Sequence, residues 1–152
     1  MNSAIPQDIF STGFEIPAIR MIPYWRVRFL APEDEIDQLF DEIIKIAPLG
    51  YGKTDRNTIR AAPCYEYYRP MEGTPTVAEE ETRKRPGIVE MSLSIPTDQA
   101  QLEAIIDVIY QFHSYYEPPI SVEPILRSET RGLDDSDNPN RWWNKGGDWK
   151  ND

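Results

Sequence analysis

The sequence predicts an α+β fold of the ferredoxin-like class, a split βαβ sandwich (βαββαβ) whose antiparallel sheet carries two helices on one face. Two observations lead to this prediction. Two amphipathic helical patterns alternate with strand patterns in the order β, α, β, β, α, β, and the chain of 152 residues with 39% apolar content is sufficient for one modest core. The second half of this order echoes the first without repeating its sequence.

The first strand is predicted in the stretch YWRVRFLAP. Trp25, Val27 and Phe29 alternate with Arg26 and Arg28. This period of two is typical of a strand with one buried face.

The first helix is predicted in PEDEIDQLFDEIIKIAPLG. Pro32 and the acidic residues 33–35 suit a helix N-terminus, because proline fits the first turn and carboxylates complement the helix dipole. The apolar stripe that follows at helical spacing consists of Ile36, Leu39, Phe40, Ile43, Ile44 and Ala47. Pro48 and Gly50 end the pattern.

The middle of the chain predicts a broken strand followed by a loop. TIRAAPCYEYYRP is rich in β-forming residues around Pro63, and a proline within a sheet indicates an edge strand or a bulge. From Pro70 to Gly87 the chain has three prolines, mixed charges and few apolar residues. We therefore expect a long exposed loop there.

A second strand, a second helix and a last strand complete the domain. IVEMSLSIP alternates in the manner of a half-buried strand, and Thr97 is the predicted N-cap of the helix that follows. The buried stripe of that helix consists of Leu102, Ile105, Ile106, Ile109 and Phe112. HSYYEPP ends the helix, and ISVEPIL is the last predicted strand.

Three segments follow from this pattern. Residues 1–23 are predicted to form an irregular N-terminal arm, residues 24–127 the ferredoxin-like domain, and residues 128–152 a polar tail that contains tryptophans.

Composition excludes several classes of function. The net charge of −10 disfavours nucleic acid and anionic membrane surfaces as partners. The sequence has no apolar run of membrane-spanning length and no signal-peptide pattern, which predicts a cytoplasmic protein. A single cysteine, Cys64, excludes an internal disulfide and a zinc site built of several thiolates.

Two motifs carry a resemblance to a known family. HSYYEPPISVEPI resembles the signature HPYEEPxxxxxPL, through His113, Tyr115, Glu117 and Pro118, and YRPMEGTPT resembles FRPLEGxxP. Both lie at the expected places in the order of elements. Residues 24–126 thus resemble the CutA-like or PII-like domain that is inserted in the YqfO-type proteins of the Nif-three-like family.

The resemblance implies a stand-alone, non-enzymatic module. Its relatives assemble as trimers whose sheets meet edge to edge, so a homotrimer is expected. The flanking halves that bind two metal ions in full-length YqfO-type proteins have no counterpart in the short segments beside residues 24–127, so dimetal hydrolase activity is not expected. Ser114 and Tyr116 depart from the signature, where the family has proline and glutamate.

His113, the only histidine, has two interpretations. It can serve structurally at the end of the second helix, where free carbonyls and the dipole favour a donor. Alternatively, His113 and Glu117, with Tyr115, face a cleft between subunits and bind a polar ligand or a divalent metal ion. An acid–base role is the least favoured, because no partnered nucleophile is visible.

Three other groups are candidates for binding. Tyr65 and Tyr67 alternate in the broken strand and suit an oligomer interface or a ligand ring. The basic residues of the predicted loop, Arg83, Lys84 and Arg85, and the tail tryptophans Trp142, Trp143 and Trp149 are candidates for docking a protein partner.

The sequence thus favours an oligomeric binding or regulatory module with intersubunit clefts for a small ligand or a protein partner. No cofactor is expected under this interpretation. A CutA-type divalent metal-binding protein is the alternative, and a small hydrolase is the second alternative.

Overall fold

The computed structural model describes residues 8–146. Its elements are α1 (Ile9–Thr12), β1 (Phe14–Glu15), β2 (Ile19–Pro32), α2 (Ile36–Ile44), β3 (Ile59–Arg60), β4 (Cys64–Tyr68), β5 (Arg83–Pro96), α3 (Gln99–Phe112), β6 (Ile120–Thr130) and a 3-10 helix (Trp142–Lys145). None of the helices within residues 8–146 is long and apolar enough to cross a membrane.

The six strands form one antiparallel sheet. β2 lies at its centre, paired with β6 on one side and with β5 on the other, while β3 and β4 both pair with the far edge of β5. In this register Val27 of β2 stands opposite Leu93 of β5 and Val122 of β6. The arrangement confirms the predicted ferredoxin-like fold.

The core lies between the sheet and helices α2 and α3. Alternate residues of the two central strands, among them Phe29 and Met91, are almost fully buried and pack with Leu39 of α2 and with Ile105 and Ile109 of α3. Burying each such side chain contributes about 1.5–3 kcal/mol. The intervening residues of β2 and β5 lie on the other face of the sheet, which we call the open face.

Charged side chains of three strands interact on this open face. Arg28 on β2 lies 3.0 Å from Glu123 on β6 and 4.0 Å from Glu90 on β5, and Arg26 reaches the same Glu123 at 3.5 Å. All four side chains are partly exposed, so each pair contributes little stability alone. Their alternation with the core residues is the pattern that predicted these strands.

Both helices begin later than predicted. α2 starts at Ile36, because Pro32 ends β2 and residues 33–35 form a turn, with the Glu35 N–H bonded to the Pro32 carbonyl. The N-cap of α3 is Asp98 and not Thr97. The Asp98 carboxylate accepts hydrogen bonds from the N–H groups of Ala100 and Gln101, which is the usual role of an N-cap side chain.

The predicted loop is shorter than expected, because Arg83, Lys84 and Arg85 belong to β5. These residues pair with Tyr68, Tyr67 and Glu66 of β4. The prolines and charges of this stretch predicted a loop, but cross-strand pairing overrides that local preference. Pro63 falls in the break between β3 and β4, as the sequence predicted.

The predicted domain boundaries both lie inside strands. β2 begins at Ile19, ahead of the expected start at Tyr24, and β6 continues to Thr130. The described part of the arm is also partly regular. Gly13 has a positive φ of 67°, and a Cβ there would meet the Met21 carbonyl oxygen at 2.1 Å, so glycine permits the arm to approach β2. Residues 1–7 of the arm lie outside the described residues.

Candidate functional site

The His113 ring connects the end of α3 to the central strand. α3 ends at Phe112, and His113 adopts an extended conformation that turns its side chain toward the sheet. Its Nε2 lies 2.6 Å from the Leu30 carbonyl oxygen, and the Tyr115 N–H lies 3.0 Å from its Nδ1. A carbonyl only accepts and an amide N–H only donates, so Nε2 carries the proton and Nδ1 accepts.

Both ring nitrogens are therefore engaged within the chain. The ring is also buried, with only 8% of the residue exposed. Glu117 is exposed on the segment that follows. A metal ion at His113 would have to displace the Tyr115 N–H from Nδ1, and residues 8–146 contain no group of three His, Cys, Asp or Glu side chains placed to hold a metal ion.

The predicted structural role of His113 differs in detail from the observed contacts. The sequence predicts that the ring interacts with the free carbonyls of its own helix. Instead it bonds the backbone of β2, while its own N–H closes the helix on the Ile109 carbonyl.

Tyr115 is the centre of a polar cluster beside this ring. Its ring packs edge-on against His113, with centroids 4.6 Å apart, and the Arg85 guanidinium lies 4.7 Å from its centroid. The Tyr115 hydroxyl and the Glu66 Oε2 are both buried, and neither has a hydrogen-bond partner within residues 8–146. Two such atoms are costly to leave unpaired, so the cluster is suited to receive a polar group from outside the chain.

The surroundings of Tyr115 change its acidity. Burial raises the pKa of the Tyr115 phenol above its ordinary value, and the nearby Glu66 carboxylate raises it further, while Arg85 acts in the opposite direction. The hydroxyl thus stays protonated and available as a hydrogen-bond donor.

The predicted ligand-binding residues fall into two separate groups. His113 and Tyr115 lie together, whereas Tyr65 and Tyr67 alternate with Glu66 along β4 and so project to the opposite side of that strand. Tyr65 and Tyr67 are 57% and 63% exposed. Sequence reasoning did not select Glu66, although its position between two tyrosines of an alternating strand was a usable signal.

The basic residues of β5 contact side chains of their own chain. Arg83 forms an ion pair with Glu79, and this contact raises the pKa of the guanidinium. Lys84 lies 4.2 Å from the centroid of the Tyr65 ring, and Arg85 lies over Tyr115. Their predicted role in docking a partner remains a prediction.

Two of the three tail tryptophans, Trp142 and Trp143, lie in the described residues, and both are about half exposed. Trp142 and Trp143 pack edge-on with centroids 5.6 Å apart in the 3-10 helix, and Trp149 lies outside the described residues. Their exposed rings leave the prediction of partner docking open to experiment.

Comparison with solved structures supports the fold. No protein-family model matches the chain, and no curated protein matches it. Among solved structures, a protein related to NIF3 from Bacillus cereus has a TM-score of 0.59 and 18% identity. CutA1 from Shewanella sp. SIB1 has a TM-score of 0.52 and 15% identity, and CutA1 from Oryza sativa has 0.50 and 16%.

The extent of these matches differs. The alignment covers 81% of this chain and 92% of the Shewanella protein, and 69% of this chain and 82% of the Oryza protein. It covers 74% of this chain but only 29% of the NIF3-related protein. At these identities the likeness concerns the ferredoxin-like fold that CutA1 and the NIF3-related protein share with this chain.

Proposed function

We propose that this chain is a non-enzymatic, homotrimeric binding or regulatory module whose clefts between subunits receive a small ligand or a protein partner. In this arrangement the β4 edge of one copy faces a neighbouring copy. The Tyr115 cluster then lies near the cleft, with His113 holding Tyr115 in place through the backbone.

The outer edge of β4 is the observation that carries this proposal. β4 pairs with β5 on one side only within residues 8–146, so its other side presents unpaired backbone groups. Tyr65 and Tyr67 stand exposed on the same strand. A tyrosine-bearing sheet edge suits an interface, because pairing with a second strand satisfies the backbone and buries the rings.

The alternatives have weaker support. CutA-type metal binding through His113 and Glu117 requires a free Nδ1, which the Tyr115 N–H occupies. A small hydrolase built on Cys64 requires an adjacent base, but the Cys64 thiol donates to the Ile88 carbonyl and the His113 ring contacts Leu30 and Tyr115.

Replacing both exposed tyrosines of β4 tests the proposal. We expect a chain carrying Tyr65→Ser and Tyr67→Ser to lose trimers in favour of monomers, because the rings no longer bury apolar area between copies. Size-exclusion chromatography with light scattering measures the mass, and circular dichroism checks that the variant is folded.

The matched control is Tyr110→Ser, since Tyr110 is 60% exposed but lies on α3. This control should keep the mass of the wild-type protein. A folded double variant that remains trimeric would place the interface elsewhere and contradict the proposal.

A further inference from the structure

Arg127 is held in a fixed position at one end of the open face. It stands on β6 opposite Ile22 of β2. Its guanidinium carbon lies 3.7 Å from the ring centroid of Tyr24 and 4.3 Å from that of Tyr51. One terminal nitrogen donates to the Gly50 carbonyl and the other to the Tyr24 hydroxyl, both at 2.7 Å.

Within the described part of the chain, no ion pair neutralises the charge of Arg127. Within residues 8–146 it has no carboxylate within 4.0 Å, and its Nε is buried without a hydrogen-bond partner. Two stacked aromatic rings hold the guanidinium in place, and only two of its five N–H donors make hydrogen bonds within residues 8–146. A half-buried guanidinium with free N–H donors is suited to bind an oxyanion.

A cavity of about 430 Å³ opens beside this guanidinium. Arg26 and Arg127 line it together with Ser92, Ser94, Thr58 and Tyr51. None of the lining residues within 8–146 is Asp or Glu, although the chain carries a net charge of −10. Two arginines and the hydroxyl-bearing residues Ser92 and Ser94 thus share a cavity whose lining within residues 8–146 includes no acidic residue, while the Tyr51 and Thr58 hydroxyls already bond Ser128 and the Ser92 carbonyl.

Arg26 makes only a weak ion pair with Glu123. Its contact with Glu123 is 3.5 Å long, and Arg28 holds the same carboxylate more closely, at 3.0 Å. Arg26 can therefore turn toward an anion in the cavity at small cost, because the exposed pair that it leaves contributes little.

We propose that this cavity is a binding site for a small organic anion that carries a carboxylate or phosphate group. The Arg127 guanidinium binds the anionic group through its free N–H donors, Arg26 adds a second positive charge, and Ser92 and Ser94 donate hydroxyl hydrogen bonds. Apolar walls, including Ile59 and Ile125, accommodate the carbon skeleton. The site is distinct from the Tyr115 cluster, so either can fail without the other.

Nuclear magnetic resonance of the full chain, labelled with nitrogen-15, tests this site. Inorganic phosphate and succinate are titrated separately at constant ionic strength, with sodium chloride as the reference salt. We expect saturable shifts of the Arg127 Nε–H signal, assigned by its loss in Arg127→Lys, and of the backbone N–H signals of Ser92 and Ser94, with at least one of the two probes.

Two variants and a control make the test specific. Arg127→Lys, which keeps the charge but loses the planar fork, should weaken binding roughly tenfold. Arg26→Gln should weaken it also, and this variant protects the test if Arg127→Lys fails to fold. Arg69→Gln, which removes an exposed arginine away from the cavity, should bind as the wild-type protein does.

Two results would overturn the proposal. One is shifts that sodium chloride reproduces or that Arg26→Gln leaves unchanged, since these indicate general screening. The other is the absence of saturable shifts of the Arg127 Nε–H signal with both probes, and an altered oligomer mass in Arg127→Lys would then assign this guanidinium to a carboxylate of a second copy.

Discussion

At the scale of single residues, the His113 ring and Tyr115 form one structural unit. The ring bonds the Leu30 carbonyl on one side and the Tyr115 N–H on the other, so it fixes the segment between α3 and β6. The sequence predicted that His113 lies at this junction. It could not show that Nε2 bonds the Leu30 carbonyl, because Leu30 is 83 residues away in the chain, and this contact decides that Nδ1 is left to accept from the nearby Tyr115 N–H.

The acidity of Tyr115 gives a prediction for stability at high pH. The pKa of the Tyr115 phenol is about 10 in the unfolded chain and is raised in the folded chain. The folded state therefore keeps the phenolic proton to a higher pH than the unfolded state does. The stability that the protonated Tyr115 contributes is fully present below its unfolded pKa and is lost as pH rises through its folded pKa. We expect Tyr115→Phe to lose stability less steeply than the wild-type protein above about pH 10.

Urea denaturation at a series of alkaline pH values measures this difference. Tyr116→Phe is the control, because the neighbouring Tyr116 is exposed and its replacement should leave the wild-type slope. Equal slopes for Tyr115→Phe and the wild-type protein would show that the Tyr115 hydroxyl is not in the surroundings described above.

At the scale of elements, periodicity predicted the central strands and the helices correctly, whereas local composition did not predict that β5 begins at Arg83. The alternation around Val27 and the helical spacing around Ile105 identified a strand and a helix that the structure confirms. The composition around Arg83, Lys84 and Arg85 predicts a loop, because no property of those residues alone reveals their pairing with β4. Such pairing depends on contacts between distant segments.

The start of α3 gives a prediction for helix stability. Asp98→Ala removes the carboxylate that accepts from the Ala100 and Gln101 N–H groups. We expect the free energy of unfolding to fall by about 0.5–2 kcal/mol, the usual cost of losing an N-cap. Urea denaturation measures the change.

Thr97→Ala is the matched control for this cap. Thr97 is exposed and precedes the capping residue, so its replacement should change the free energy of unfolding by no more than about 0.5 kcal/mol. A larger loss from Thr97→Ala than from Asp98→Ala would return the cap to the residue that the sequence suggested.

At the scale of the whole molecule, the sheet determines what remains available for partners. The helices cover one face, while the open face keeps its arginines and the outer edge of β4 keeps its tyrosines. The fold class could be predicted from the sequence, since element order and periodicity are local properties. The Arg127 cavity could not, because β2, β5, β6 and the segment after α2 build it together.

In the proposed assembly, the outer edge of β4 and the Tyr115 cluster lie at or near clefts between copies. A strand edge that ends in solvent is a liability in a monomer and a binding surface in a closed oligomer. The exposed tyrosines, the Tyr115 cluster and the basic residues of β5 then acquire one explanation, as surfaces at or near the contacts between copies.

Sedimentation equilibrium of the wild-type chain at micromolar concentration tests this account most directly. Each chain has a mass of 17.6 kDa, so a homotrimer has a mass of about 53 kDa. We predict a single species of that mass over the concentration range. A single species of 17.6 kDa at every concentration would contradict the account.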